Sequence, residues 1–125
     1  MNRKELIDYC LAKPGAKGDF PFDESTLAIR VGGKIFALLD VEDEAPSVNL
    51  KCDPELAVDL REAYESIKPG YHMNKEHWNT VDLDGKLPVD LLVSLVDRSY
   101  ELVALSLGPA ARASAGLPPK QRRAP

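Results

Sequence analysis

Long apolar runs are missing from this 125-residue chain. No stretch approaches the roughly 20 residues that a membrane-spanning helix needs. The opening MNRKELIDYC has no apolar h-region, so no secretory signal is expected. Cysteine is scarce as well: Cys10 and Cys52 are far apart and form no CxxC pair. With no export signal, reduced thiols in a cytoplasmic protein are the expectation. No GxSxG elbow is present, and Cys52 alternates with Val48 and Leu50, so it should point into a core where a thiol is inert. The acyl-transfer constellation is therefore not met. The only adjacent glycines flanked by apolar runs, Gly32-Gly33, join two strand-like segments rather than a strand and a helix N-terminus. That rules out a phosphate-binding fingerprint. No cofactor is expected, and no catalytic residue is assigned.

What is present fits one soluble globular domain: 44% hydrophobic and 29% charged residues. The net charge of −4 is unevenly spread. Residues 111–125 carry Arg112, Lys120, Arg122 and Arg123 with no acid, a block of +4, so the rest of the chain must hold −8. An acidic body opposes phosphate-rich partners. Any nucleic-acid role has to overcome that balance locally.

Asn2 followed by Glu5 reads as a capping box opening a helix from Arg3 to Lys13, stopped by Pro14-Gly15. KGDFPFDES reads as a loop pinned to the core by Phe20 and Phe22. TLAIRV and KIFALLDV flank Gly32-Gly33 as a hairpin. A two-residue turn would pair Val31 with Lys34, Ile29 with Phe36 and Leu27 with Leu38, and would place Leu27, Ile29, Phe36 and Leu38 on the core face. Ala28, Ile35, Ala37 and Leu39 would then form an apolar outer face fit for a homodimer or protein partner. SVNLKCD reads as a third strand, with Asn49 and Lys51 on one side. Asp53-Pro54 opens a second helix whose apolar stripe runs through Leu56, Leu60, Ala63, Tyr64 and Ile67 to a stop at Pro69-Gly70. Residues 70–83 read as two short strands turning at Asn74-Lys75-Glu76. Pro88 starts a last helix with Leu91, Leu92, Leu95, Val96, Ser99, Leu102 and Val103 inward, Ser99 as a small packing residue. Residues 109–125, rich in Ala, Pro and basic side chains, are expected to be disordered. The order α-β-β-β-α-β-β-α implies an α+β domain with an antiparallel sheet, covering residues 1–108.

GYHMNKEHWNTV (Gly70 to Val81) gathers both histidines, a lysine, a tyrosine and the single tryptophan. Its His72 and His77 have the spacing of a finger-type zinc pair, but the paired cysteines are absent and no metal is expected. The acids Asp40, Glu42, Asp43 and Glu44 lack EF-hand spacing and read as a solvated loop. A polar set suited to binding remains: Lys51, Tyr71, His72, Lys75, His77, Trp78, Asn79 and Arg98. Aromatic rings offer stacking surfaces and the cations offer charge. The same residues equally suit an ordinary sheet edge with Trp78 in the core.

Four ordered stretches, FPFDESTLAIRVGGKIFALL, LKCDPELAVDLRE, PGYHMNKEHWNTVDLDG and LVDRSYELV, resemble the MmcQ/YjbR family of small bacterial proteins, over residues 2 to about 108. The resemblance implies a frataxin-like (CyaY-like) α+β fold and DNA binding through a double-wing arrangement of hairpins. On that reading Lys51, His72, Lys75, His77, Trp78 and Arg98 serve the ligand, and Lys34 sits at the tip of one wing. Frataxin's iron binding is not implied, because the first helix offers only Glu5 and Asp8. The element order also resembles type III secretion chaperones, which makes a protein-interaction or dimerisation module the rival expectation. An enzyme using His72 and His77 for acid–base work on a small molecule is a third.

Overall fold

The computed structural model describes residues 1–71 and 73–120. Helix α1 (Arg3–Leu11) starts on the expected box. The Asn2 side chain accepts from the Glu5 amide at 2.8 Å and Glu5 accepts from the Asn2 amide at 3.0 Å. Then follow β1 (Lys17–Asp19), β2 (Thr26–Val31), β3 (Lys34–Asp40), β4 (Ser47–Lys51), α2 (Pro54–Ala63), β5 (Ile67–Pro69), β6 (Trp78–Asp82), α3 (Val89–Ser106) and α4 (Pro109–Ser114). The six strands form one antiparallel sheet in the order β1-β2-β3-β4-β6-β5. The α+β class and the expected order of elements are present, with β1 and α4 added; the first strand expected within residues 70–83 lies instead at Ile67–Pro69, in the stretch expected to end the second helix.

Strand β1 contradicts the loop expected for KGDFPFDES. Lys-Gly-Asp has no apolar period, and it becomes a strand only because the edge of β2 supplies partners. Phe20 and Phe22 do not pin it; they are 49% and 66% exposed. The loop is held instead by Asp23, whose carboxylate accepts from the Ser25 and Thr26 amides at 2.9 and 2.7 Å.

The β2–β3 turn uses Gly32 and Gly33 at φ of 57° and 83°, and Val31 pairs with Lys34 as expected. The register then shifts: Arg30 pairs with Ile35, but Ile29 pairs with Ala37 and Leu27 with Leu39, leaving Phe36 as the extra residue of a bulge. A one-residue slip exchanges faces. Ala37 and Leu39 are thereby buried in the core, and Leu38 takes the outer face. Ala28 is buried too, so of the docking face expected from Ala28, Ile35, Ala37 and Leu39 only Ile35 keeps some exposure.

Helix α2 ends at Ala63, a turn before the expected stop. Tyr64 is already extended at φ −133°, and Ile67 enters β5 beside Pro69, consistent with the extended bias of residues that precede proline. Helix α3 lays Leu92, Leu95, Val96, Ser99 and Val103 on the sheet, and Leu6 and Cys10 of α1 with Ala57 and Leu60 of α2 complete the cover. They meet Ile29, Phe36, Ala37, Val48, Leu50, Ile67 and Val81 from the strands. These core residues all lie on one face of the sheet.

The segment expected to be disordered is ordered through its first part. Pro109 stands in the first turn of α4, where its missing N–H costs nothing. Ala111, Ala115 and Leu117 pack on the core. Arg112 donates to the Ala104 carbonyl at 2.7 Å and the Pro118 carbonyl at 2.9 Å, satisfying the end of α3. Gly15 makes room for this docking, since a Cβ there would lie 2.5 Å from the Ala115 carbonyl oxygen.

A polar staple joins α1 to α3. Tyr9 Oη and Lys13 Nζ both donate to Asp97 Oδ1, at 2.6 and 2.5 Å. The Lys13 ammonium also stands 4.9 and 5.7 Å from the ring centroids of Tyr9 and Tyr100. Burial works to raise the Asp97 carboxyl, but the hydrogen bonds from Lys13 and Tyr9 outweigh it and hold the group below the usual carboxylate range. A carboxylate depressed in the folded state contributes stability that is complete above its unfolded value, about 3.9. That stability disappears as pH falls through the folded value. The midpoint of urea unfolding is therefore expected to stay level from neutrality to about pH 5 and to fall below about pH 4, with a smaller fall in Asp97→Asn. An equal acid fall in that variant would remove the staple from the account.

Candidate functional site: an open sheet face with cations at one end

The face opposite the helices carries alternate residues of each strand. Lys51 lies directly opposite Trp78, Asn49 opposite Thr80 and Leu38, and Ser47 opposite Asp82. On the far side of the bulge Lys17, Arg30 and Ile35 pair across β1, β2 and β3. All of these except exposed Lys17 are partly exposed. Trp78 is thus not a core residue; it belongs to the open face, while its neighbours Asn79 and Val81 face the helices.

Antiparallel pairing brings the β2–β3 turn, the end of β4 and the β5–β6 loop to the same end of the sheet. Three strand spacings, about 14 Å, separate β3 from β5 there. Lys17, Arg30, Lys34, Lys51 and Lys75 all belong to this end. Asp40 and Asp82 belong to the other, Asp82 paired to Lys68 at 2.8 Å. The cations at this end are not unopposed: Arg30 is paired to Asp19 at 3.1 Å, and Glu76 follows Lys75 in the same loop.

The loop that follows β5 is tied down through its backbone. The Tyr71 amide donates to Thr80 Oγ1 at 3.0 Å, and the Thr80 hydroxyl donates to Asn49 Oδ1 at 2.6 Å. Asn49 donates in turn to the Leu38 carbonyl at 3.2 Å. The Cys52 amide takes the His77 carbonyl at 2.7 Å, and the Gly70 amide takes that of Trp78 at 2.9 Å. Gly70 is needed for this approach: a Cβ there would stand 2.9 Å from both the Cβ and the carbonyl oxygen of Trp78.

The residues expected to form a site separate into groups. Lys51 and Trp78 share the open face. Tyr71, Lys75 and His77 lie on the adjoining loop, with Lys75 lining a groove beside Pro54, Glu55, Val58 and Arg61 of α2. His72 falls outside the described residues. Lys34 leans to the helix side, its ammonium 3.4 Å from Ser106 Oγ at the end of α3. Arg98 is not on this surface. Its Nε and Nη2 grip the Asp53 carboxylate at 2.8 and 2.9 Å, holding that carboxyl below its usual range. Asp53 accordingly makes no side-chain cap for α2. Asn79 is buried, donating to the Ala57 carbonyl at 3.4 Å. Neither Lys51 nor Lys75 takes part in the ion pairs found among the described residues. Sequence reasoning missed Lys17 and Arg30, because the strand that aligns them was invisible without its partner.

Both thiols are buried, Cys52 inward as expected. Burial pushes the Cys10 thiol up to about 12 and raises Cys52 as well. Neither is a nucleophile at neutral pH. Among the described residues no group of three His, Cys, Asp or Glu side chains could hold a metal, and no helix is long and apolar enough to cross a membrane.

A small α+β domain with a one-sided helix layer and an open sheet face defines the class. The YjbR family model matches residues 11–102, and the chain belongs to that family. Escherichia coli K12 YjbR is 43% identical over 101 residues, covering 81% of this chain and 86% of its own. YyaQ of Bacillus subtilis is 30% identical over 116 residues, covering 82% and 98%. The crystal structure of Deinococcus radiodurans protein DR2400, a DUF419 domain, superposes with a TM-score of 0.84 at 41% identity, covering 92% of this chain and 88% of that one. A Pseudomonas syringae crystal structure gives 0.72 at 35% identity, covering 82% and 99%.

Proposed function

We propose that this domain binds nucleic acid at the cationic end of its open sheet face and acts by binding, without a catalytic step. The observation that carries the reading is Lys51 directly opposite Trp78 on the open sheet face, with Lys17 at the same end of the sheet and Lys75 in the adjoining β5–β6 loop beside α2. Cations there are local. Acids beyond a Debye length, about 8 Å at physiological salt, weigh little against them. Arg98 assists indirectly by neutralising Asp53, which follows closely on the end of β4.

The test is fluorescence anisotropy with labelled DNA at low and physiological salt. Lys51→Ala/Lys75→Ala is expected to weaken binding about tenfold or more and to flatten the salt dependence by roughly one unit of slope for each phosphate no longer engaged. Arg122→Gln/Arg123→Gln separates a nonspecific tail from this surface. Binding that survives the lysine pair but vanishes with the arginine pair would move the activity to the tail, and no binding at physiological salt would end the reading.

A further inference from the structure

The open face carries a second property that decides which form of nucleic acid it suits. Trp78 is the chain's single tryptophan, partly exposed and set on β6 directly opposite Lys51. Its backbone is fixed by the close approach of Gly70 and by the hydrogen bond its N–H donates to the Asn74 carbonyl at 2.9 Å. Tyr71 is 71% exposed at the start of the adjoining loop, its amide held to Thr80 on the same face. An indole on a fixed backbone, beside a lysine that enters no ion pair among the described residues and with polar Asn49 and Thr80 in the next row, offers a ring for stacking next to a cation for a phosphate.

The charge balance makes the choice. Counterion release scales with the number of phosphates engaged, and the single lysine beside Trp78 engages few of them, so this term is small here. A duplex, with one charge per about 1.7 Å, repels an acidic body more strongly than a single strand does. The favourable term that remains is stacking, and stacking needs bases that are not already paired. Resting on the nucleic-acid reading above, we infer that the ligand is single-stranded, with an unpaired base stacked on Trp78 and its phosphate on Lys51.

Because Trp78 is alone, its emission reports on this one position. The full-length chain is titrated with a short oligothymidylate and with a duplex of equal length, following tryptophan fluorescence and, separately, anisotropy of a label on the DNA. The expected result is saturable quenching by the single strand and about tenfold weaker binding of the duplex. The salt slope should be shallow, near −1.4 for about two engaged phosphates. Trp78→Leu is expected to lose about tenfold or more in affinity for the single strand, the size of one base–aromatic stack. If that variant does not fold, Lys51→Ala with Trp78 intact is expected to weaken binding while the quench at saturation persists. Duplex bound as tightly as single strand with unchanged Trp78 emission would overturn the stacking inference and leave nucleic-acid binding standing. Wild-type affinity in folded Trp78→Leu would do the same. No binding of either probe would overturn both.

Discussion

Ser99→Ala is expected to destabilise the domain by about 2–4 kcal/mol, lowering the midpoint of thermal unfolding by roughly 10 °C in far-ultraviolet circular dichroism. The hydroxyl is fully buried beneath α3. It accepts from the Lys51 amide at 2.8 Å and donates to the Phe36 carbonyl at 2.5 Å. The bulge at Phe36 interrupts the β3–β4 ladder after the Ala37–Leu50 pair. Ser99 supplies the missing bridge from a helix side chain. Alanine leaves an N–H and a C=O without partners in a dry interior, and each such group costs about 1–3 kcal/mol. A shift below about 2 °C would mean that water enters and replaces the hydroxyl. Because one bridged group is the amide of Lys51, the folded fraction of this variant should also bind nucleic acid more weakly.

Phe36→Ala is expected to cost about 3–5 kcal/mol, the range for removing a buried aromatic side chain. Phe36 is fully buried and meets the Tyr100 ring edge-on, with centroids 5.2 Å apart and planes at 88°. Tyr100 is itself anchored to the Pro14 carbonyl at 2.5 Å, so the pair links the bulge to the end of α1. Phe36→Leu, which keeps most of the volume, should recover more than half of the loss. A urea titration of the two variants decides this; equal destabilisation by leucine and alanine would show that ring geometry outweighs volume here.

Much of the architecture was legible because its signals are local. The capping box, the glycine turn, the Asp53-Pro54 start and the long apolar face of α3 need no tertiary partner to be recognised. What escaped was non-local. Lys17–Asp19 is a strand only beside β2, and α4 stays folded because Gly15 and the end of α3 receive it. The bulge escaped too, for Phe36 fits a regular hairpin equally well by hydropathy; one inserted residue then moved Ala37 and Leu39 from the expected docking face into the core. Helical spacing alone turns Ser99 inward, but its bridging role depends on that same bulge. Of the site, strand alternation puts Trp78 on the face opposite Asn79 and Val81, but its position opposite Lys51 depends on the non-local pairing of β4 with β6, as the diversion of Arg98 to Asp53 depends on how α3 crosses the end of β4.

The outermost strands β1 and β5 are only three residues long, and β5 closes with Pro69, which has no amide to offer. A neighbouring chain therefore finds too little rim on which to lengthen the sheet, so the molecule can leave a broad sheet surface uncovered without inviting fibre growth. Whatever associates with this domain is steered to lie across the strands rather than alongside them.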